Sequence, residues 1–110
     1  MEVSEKKQGE VYIFGLQGRL DSNTSPELDK KVVDAMGKGE SLLVFDFEAL
    51  DYISSAGWRV LLKAAQQLKR SDGKIVLCSM KDYVREVFEI AGFSSLLPVA
   101  PSVDDAFKEF

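Results

Sequence analysis

Polar and apolar positions follow one another along this chain in a succession that outlines its elements. Residues 3–7 alternate weakly and predict a first strand, with Gln8-Gly9 as a two-residue hairpin turn. Residues 11–16, Val-Tyr-Ile-Phe-Gly-Leu, predict a strong second strand. Gly18-Arg19-Leu20-Asp21-Ser22-Asn23 then reads as a polar loop leading into a helix. A residue before proline avoids the helical region, so Ser25 is the expected N-cap and Pro26 the first helical position. Leu28, Val32, Ala35 and Met36 recur at helical spacing as its buried stripe, and Gly37 and Gly39 end it.

Residues 41–47 form a nearly continuous apolar run, the pattern of a central strand covered on both faces. A helix is expected from Ser55 to the neighbourhood of Arg70, broken by Ser71-Asp72-Gly73. Residues 74–78, Lys-Ile-Val-Leu-Cys, predict another buried strand, and strand, helix, strand with short links is a right-handed βαβ unit. Ser79, with Asp82 three residues on, is expected to cap a further helix. Val84, Val87, Phe88 and Ala91 would be its inner face and Gly92 its stop. Residues 96–99 read as a short edge strand, and a last helix begins at Ser102, burying Val103, Ala106, Phe107 and Phe110. The sum is an α/β fold in one domain over 1–110: a small mixed β-sheet of four to five strands, an N-terminal hairpin and about four helices.

On the helix after Ser55, at 100° per residue from Trp58, the polar residues Gln66, Arg59, Arg70, Lys63 and Gln67 span roughly 80° to 180°. Leu61, Ala64, Ala65 and Leu68 fall opposite, toward the sheet. Trp58 and Leu62 lie at the margin of the apolar sector. They are either core or a partly exposed apolar anchor that, with Arg59, makes the Trp-and-Arg pairing found at interface hot spots.

Composition narrows the function classes. The 110 residues carry a net charge of −4, which argues against direct nucleic-acid binding, since phosphate contacts need clustered Lys and Arg. No apolar run approaches a membrane span and the N-terminus has no signal-peptide core, so no membrane partner and a cytoplasmic location are expected. Cys78 is the only cysteine and reads as a small buried hydrophobe. With no histidine, the chain alone cannot build a Ser-His-Asp triad, a Cys-His pair or a histidine-ligated metal site, so no catalytic residue, cofactor or metal is expected. Asp46 and Asp51 lack the second acidic pair that a response-regulator Mg²⁺ site needs early in the chain.

Asp51-Tyr52-Ile53-Ser54-Ser55-Ala56-Gly57-Trp58-Arg59 sets two serines between a buried strand and the first turn of an amphipathic helix. A helix start offers unpaired N–H groups and partial positive charge, so it accepts an anion. A serine there can be phosphorylated without unfolding its surroundings, which points to a phosphorylation switch rather than an enzyme. Either serine can also be a plain N-cap, and the two roles are compatible.

Asp51-Tyr52-Ile53-Ser54-Ser55-Ala56-Gly57, together with Gly18-Arg19-Leu20-Asp21, resembles the anti-sigma factor antagonists of the STAS domain family, and the resemblance spans almost the whole chain in element order and length. It implies a protein that binds an anti-sigma factor which is also a serine kinase, and so releases a sigma factor. The kinase phosphorylates a serine at the start of the second helix and ends binding; a PP2C-type phosphatase restores it. In the sporulation and stress-response members the motif reads Asp-Ser-Ser-Gly or Asp-Ser-Thr-Gly, with the first serine modified. Counted back from the glycine, that serine matches Ser55, with Ser54 as second choice. Ser54 stands where the family has Asp, and Ala56 where it has the second Ser or Thr. The resemblance assigns Asp21, Asn23 and Thr24 to the kinase-binding surface, Asp21 being otherwise a turn residue bonding its own backbone. The expected contact surface is completed by Ser54, Ala56, Trp58, Arg59 and Leu62. One rival is a STAS sensor or scaffold module that binds a small ligand or joins a larger signalling assembly. A second is an enzyme using Ser55 as nucleophile, which would need Lys63 as its base.

Overall fold

The structure, a computed structural model, describes residues 1–110. The strand that opens at Leu42 does not stop with the apolar run at Phe47: it continues as β3 (Leu42–Ile53). Before it come β1 (Glu2–Gln8), β2 (Val11–Leu20) and helix α1 (Ser25–Gly37); after it come α2 (Ser55–Arg70), β4 (Lys74–Cys78), α3 (Asp82–Ile90), β5 (Val99–Ala100) and α4 (Val103–Phe107). The five strands lie in the order β1-β2-β3-β4-β5; β1 pairs antiparallel with β2, and every other pair is parallel. The mixed sheet, the leading hairpin and the four helices agree with the fold class expected from sequence.

Alternation along the central strands divides the core. Leu43, Phe45 and Phe47 of β3 and Ile75 and Leu77 of β4 face α1, α2 and α3, where they join Leu28, Val32, Leu61, Leu68 and Phe88 in one apolar cluster. Val44, Val76 and Cys78 point the other way, onto Ala106 of α4. Burial of a Phe or Leu side chain contributes about 1.5–3 kcal/mol, so the fully covered Phe14, Phe45, Phe47 and Phe88 hold the layers together.

The far half of β3 positions the serines. β4 accompanies β3 only through Asp46, while β2 follows it to Ile53. The polar loop expected at Gly18-Arg19-Leu20 is therefore strand, because pairing with β3 overrides the local polarity. Only from Asp21 does the chain leave the sheet. The register slips twice, between Gly15 and Gln17 and between Gly18 and Arg19, and at each step β3 holds one residue more than β2. Such bulges re-aim side chains. Leu50 and Ile53 stay buried while Asp51 and Tyr52 turn to solvent. Gly18 lies at the second slip with φ +97, a backbone conformation that favours glycine.

Other boundaries moved as well. Thr24 is the N-cap of α1, with Ser25 already helical and buried, its hydroxyl donating to the Asp21 carbonyl oxygen. Met36 is half-buried. Ser79 does not cap α3; its N–H donates to the Ala100 carbonyl at 3.3 Å, which keeps the chain on the sheet edge with φ +60, and the helix starts at Asp82 after Lys81. Val87 and Ala91, expected inside, are exposed, because this short helix packs through Val84 and Phe88 alone. Residues 93–95 form a 3-10 turn, the edge strand shifts to Val99–Ala100, and Phe110, beyond α4, is not buried but 37 % exposed.

Candidate functional site

Ser54 takes the N-cap position of α2 in extended backbone, and its N–H donates to the Leu20 carbonyl oxygen at 2.8 Å. That one bond seats the serine junction beside the chain that continues into Asp21. The Ser54 hydroxyl makes no capping bond and has no partner at all, although its oxygen is buried. An unpartnered buried polar group costs about 1–3 kcal/mol. The N–H groups of Ser55, Ala56 and Gly57 consequently have no acceptor in the protein, as expected of a first turn without a side-chain cap. Ser55 is exposed, Ala56 half-buried, and no acidic side chain occupies this first turn.

The Asp21 loop is an Asx turn. The Asp21 carboxylate accepts from the N–H groups of Asn23 at 2.9 Å and Thr24 at 3.1 Å. The Thr24 hydroxyl donates to the Arg19 carbonyl at 2.8 Å and accepts from the Asp21 N–H at 2.9 Å. The Asn23 N–H above all, then Thr24 and the Arg19 charge, hold the Asp21 carboxyl below the usual carboxylate range against the opposing effect of desolvation. Asn23 is exposed and Thr24 half-buried. The turn-residue role of Asp21 is thus real, and these bonds tie the loop to the end of β2.

Trp58 requires a correction. It is 3 % exposed and encased by rings, 5.2 Å from Phe88, 5.2 Å from Phe93 and 6.1 Å from Phe47. Its expectation as a partly exposed anchor gives way to the core reading, because α3 and the 3-10 turn fold over the margin of α2. Leu62 is half-buried against the same core, so it too offers little surface. Arg59 is exposed, its Nε donating to the Ser55 carbonyl at 3.3 Å.

The exposed apolar surface lies elsewhere, on residues that sequence reading either placed inside, as with Val87, or gave no role in binding. A cleft of about 430 Å³ opens next to Ser55, between the end of β3 and α3, and Tyr52, Tyr83, Val87 and Phe93 line it above Trp58. Tyr83 and Val87 are each about half exposed, and Ile90 beside them is 79 % exposed. The ring of Tyr52 carries the Arg19 guanidinium 4.1 Å from its centroid. At the rim Lys81 pairs with Asp51. Only the excess of apolar residues over what the Val84–Phe88 stripe needs could have marked this surface in the sequence.

No cluster of three or more potential ligands for a metal ion forms around Asp46 or Asp51 or elsewhere. No helix is long and apolar enough to cross a membrane. Lys63 is exposed and bonded to Asp29 at 3.0 Å rather than to Ser55.

Comparison with known proteins agrees with this architecture. The family model described as STAS domain matches residues 2–106. The anti-sigma factor antagonist BtrV of Bordetella bronchiseptica is 44 % identical over 110 residues, covering 100 % of this chain and 95 % of its own length. Among solved structures, an anti-sigma factor antagonist of Thermotoga maritima superposes with a TM-score of 0.92 at 18 % identity, covering 97 % of this chain and 92 % of that one. The Bacillus cell fate determinant SpoIIAA, in its phosphorylated form, gives 0.76 at 21 % identity and covers 98 % of each chain. The chain belongs to the STAS domain family and, within it, to the anti-sigma factor antagonists.

Proposed function

We propose that this protein binds an anti-sigma factor that is also a serine kinase, freeing a sigma factor, and that phosphorylation of Ser55 ends the association. The observation that carries the reading is the exposed Ser55 hydroxyl at the first position of α2, beside three first-turn N–H groups without acceptors. In the switching step the Ser55 oxygen takes the γ-phosphoryl group of ATP, releasing ADP and the hydroxyl proton. A PP2C-type phosphatase reverses it by hydrolysis. The names of BtrV as an anti-sigma factor antagonist and of SpoIIAA in a phosphorylated form support this assignment. The partner surface comprises Ser54, Ser55, Ala56 and Arg59, the loop of Asp21, Asn23 and Thr24, and the apolar cleft at Tyr83 and Val87. The protein works in the cytoplasm and performs no catalysis of its own.

The energetics favour a switch at the interface over one inside the fold. A phosphoserine adds about −1.5 to −2 charges, and a helix start stabilises an anion by about 0.3–1 kcal/mol. A partner carboxylate at about 4 Å would repel each unit of charge by roughly 4 kcal/mol at an effective dielectric near 20, about a thousandfold in affinity. Repulsion at the contact outweighs the local gain, so docking is lost while the domain stays folded.

Incubation with the host's candidate anti-sigma kinases and ATP, followed by mapping of the modified residue, tests the proposal. Phosphate on Ser55 is the expected result; phosphate on Ser54, or none with any kinase, counts against it. The apolar cleft supports a second reading, a sensor module that binds a small apolar ligand. Ligand-induced shifts of the melting temperature, obtained without any effect of the kinase, would favour that alternative.

A further inference from the structure

A phosphate on Ser55 would be stabilised by a nearby cation, and the structure leaves one in place. The inference rests on Ser55 being the acceptor. Arg59 stands four residues on, one turn along the same face of α2, and long helical side chains lean toward the N-terminus. Its Nε already reaches the Ser55 carbonyl at 3.3 Å, so the guanidinium lies back over the first turn. An anion followed by a cation at this spacing is the favourable order on a helix.

The other cations of this surface are engaged. Lys63 bonds Asp29, Lys81 pairs with Asp51, and Arg19 lies on the ring of Tyr52. Arg59 takes part in none of the ion pairs. The first turn holds no acidic side chain that would compete for it. The N-cap serine leaves the N–H groups of Ala56 and Gly57 unused, so a second set of donors stands on the same side.

We propose that Arg59 is the counter-ion of phosphorylated Ser55: its guanidinium leaves the Ser55 carbonyl and donates to the phosphate oxygens, holding the phosphate against the first turn. Guanidinium and phosphate match in bidentate geometry, which an ammonium does not reproduce. Phosphorylation then does two things at once. It adds bulk and net negative charge beside the Asp21 loop, and it withdraws Arg59 from the surface offered to the partner.

The test installs phosphoserine at position 55 by codon reassignment, so it does not depend on any kinase. The phosphate is then titrated by ³¹P NMR in the otherwise wild-type protein and with Arg59→Gln or Arg59→Lys. The second ionisation of an unperturbed phosphoserine falls near pH 6. With Arg59 present it is expected lower by roughly 0.2–0.4 of a unit, the size of one exposed charge pair on a helix. Arg59→Gln should move the midpoint back up, and Arg59→Lys should recover part of the effect. The helix start lowers the midpoint in all three proteins alike, so only the difference between them reports on Arg59. The phosphorylated form should also melt higher than the unphosphorylated one, and Arg59→Gln should shrink that increment to the part the helix start supplies, each increment being taken against the same variant's own unphosphorylated form. Equal midpoints with Arg59 and with Gln would overturn the proposal. Failure of every kinase to modify Ser55 would instead count against the functional reading and leave this titration intact.

Discussion

A Cβ placed on Gly57 would lie 2.8 Å from the Leu20 Cγ and 2.8 Å from the Ile53 Cγ1. Helix α2 therefore meets the ends of β2 and β3 backbone to side chain, at the point where the Asp21 loop and the serine junction leave the sheet together. Glycine inside a first turn forgoes up to about 1 kcal/mol of helix propensity relative to alanine. The close approach is what that sacrifice secures.

Gly57→Ala decides between these two effects. Overpacking of a filled core costs about 1–3 kcal/mol, more than the propensity gain, so a net loss of stability and a melting temperature several degrees lower are expected. Because the displaced neighbours are Leu20 and Ile53, partner affinity should fall as well. An unchanged or raised melting temperature in a thermal scan would show that the contact relaxes freely.

Trp58 separates core from docking surface. Trp58→Ala removes a ring system enclosed by Phe47, Phe88 and Phe93 and is expected to cost about 3–5 kcal/mol. Trp58→Phe keeps most of the ring packing and also deletes the Nε1–H, which is buried without an acceptor. Relief of that unpaired donor, worth about 1–3 kcal/mol, should offset much of the lost volume. Urea denaturation of the two variants checks the contrast, and Trp58→Phe should leave partner affinity within a factor of about two, since the ring presents almost no surface.

The same residue marks how far the sequence was legible. The βαβ order, β4 and the span of α2 follow from local periodicity, which a single stretch of chain carries by itself. So does the junction at Ser55, because a strand pattern stops there and a helical one begins. Trp58 sat at the edge of the apolar sector, and a helical wheel contains no information on whether Phe93, thirty-five residues on, folds over that edge. For the same reason Gly18-Arg19-Leu20 read as loop: its strand character comes from pairing with the end of β3, a partner supplied by topology. The apolar cleft at Tyr83 and Val87 was hidden because a helix that rests on two residues looks, in sequence, like one with four buried.

Cys78 should be unreactive in the folded protein. It is wholly buried in the cluster under α4, and burial pushes its thiol up to about 11. The thiolate is the nucleophile, so both its scarcity and its inaccessibility slow reaction. A disulfide reagent at pH 8 should label the native protein only at the pace of unfolding and label it at once in denaturant. Rapid labelling of native protein would mean that α4 opens.

Asp21 should titrate below an ordinary carboxylate. Its lowered folded value means that its charged form is favoured by the Asn23 and Thr24 N–H groups, so the contribution is fully present above the unfolded value near 3.9. It is lost as pH falls through the lower folded value. An NMR titration should place the Asp21 midpoint below the ordinary aspartate value. Asp21→Asn keeps an oxygen for the turn but loses the charge, and it should speed hydrogen exchange at the Asn23 and Thr24 amides less than Asp21→Ala does. Exchange at these amides as slow in Asp21→Ala as in the wild type would mean that the turn does not need the carboxylate.

Ser55→Asp puts the stability of the fold and the affinity for the partner in opposition. A carboxylate at the first helical position gains up to about 1 kcal/mol from the helix start, so the melting temperature should stay level or rise by a few degrees. Binding to the anti-sigma factor should fall, by roughly tenfold to a thousandfold depending on how dry the contact is, because one charge replaces the nearly two of a phosphate. Ser55→Ala should bind as well as wild type while refusing phosphate. Ionic strength separates charge from bulk: the Debye length shrinks from about 8 Å at physiological salt to about 3 Å at 1 M. An electrostatic switch predicts that the Ser55→Asp defect narrows in high salt, whereas a steric one predicts a defect that does not move. Titration calorimetry at the two salt concentrations reads the difference, and equal affinity of Ser55→Asp and wild type at low salt would remove Ser55 from the interface altogether.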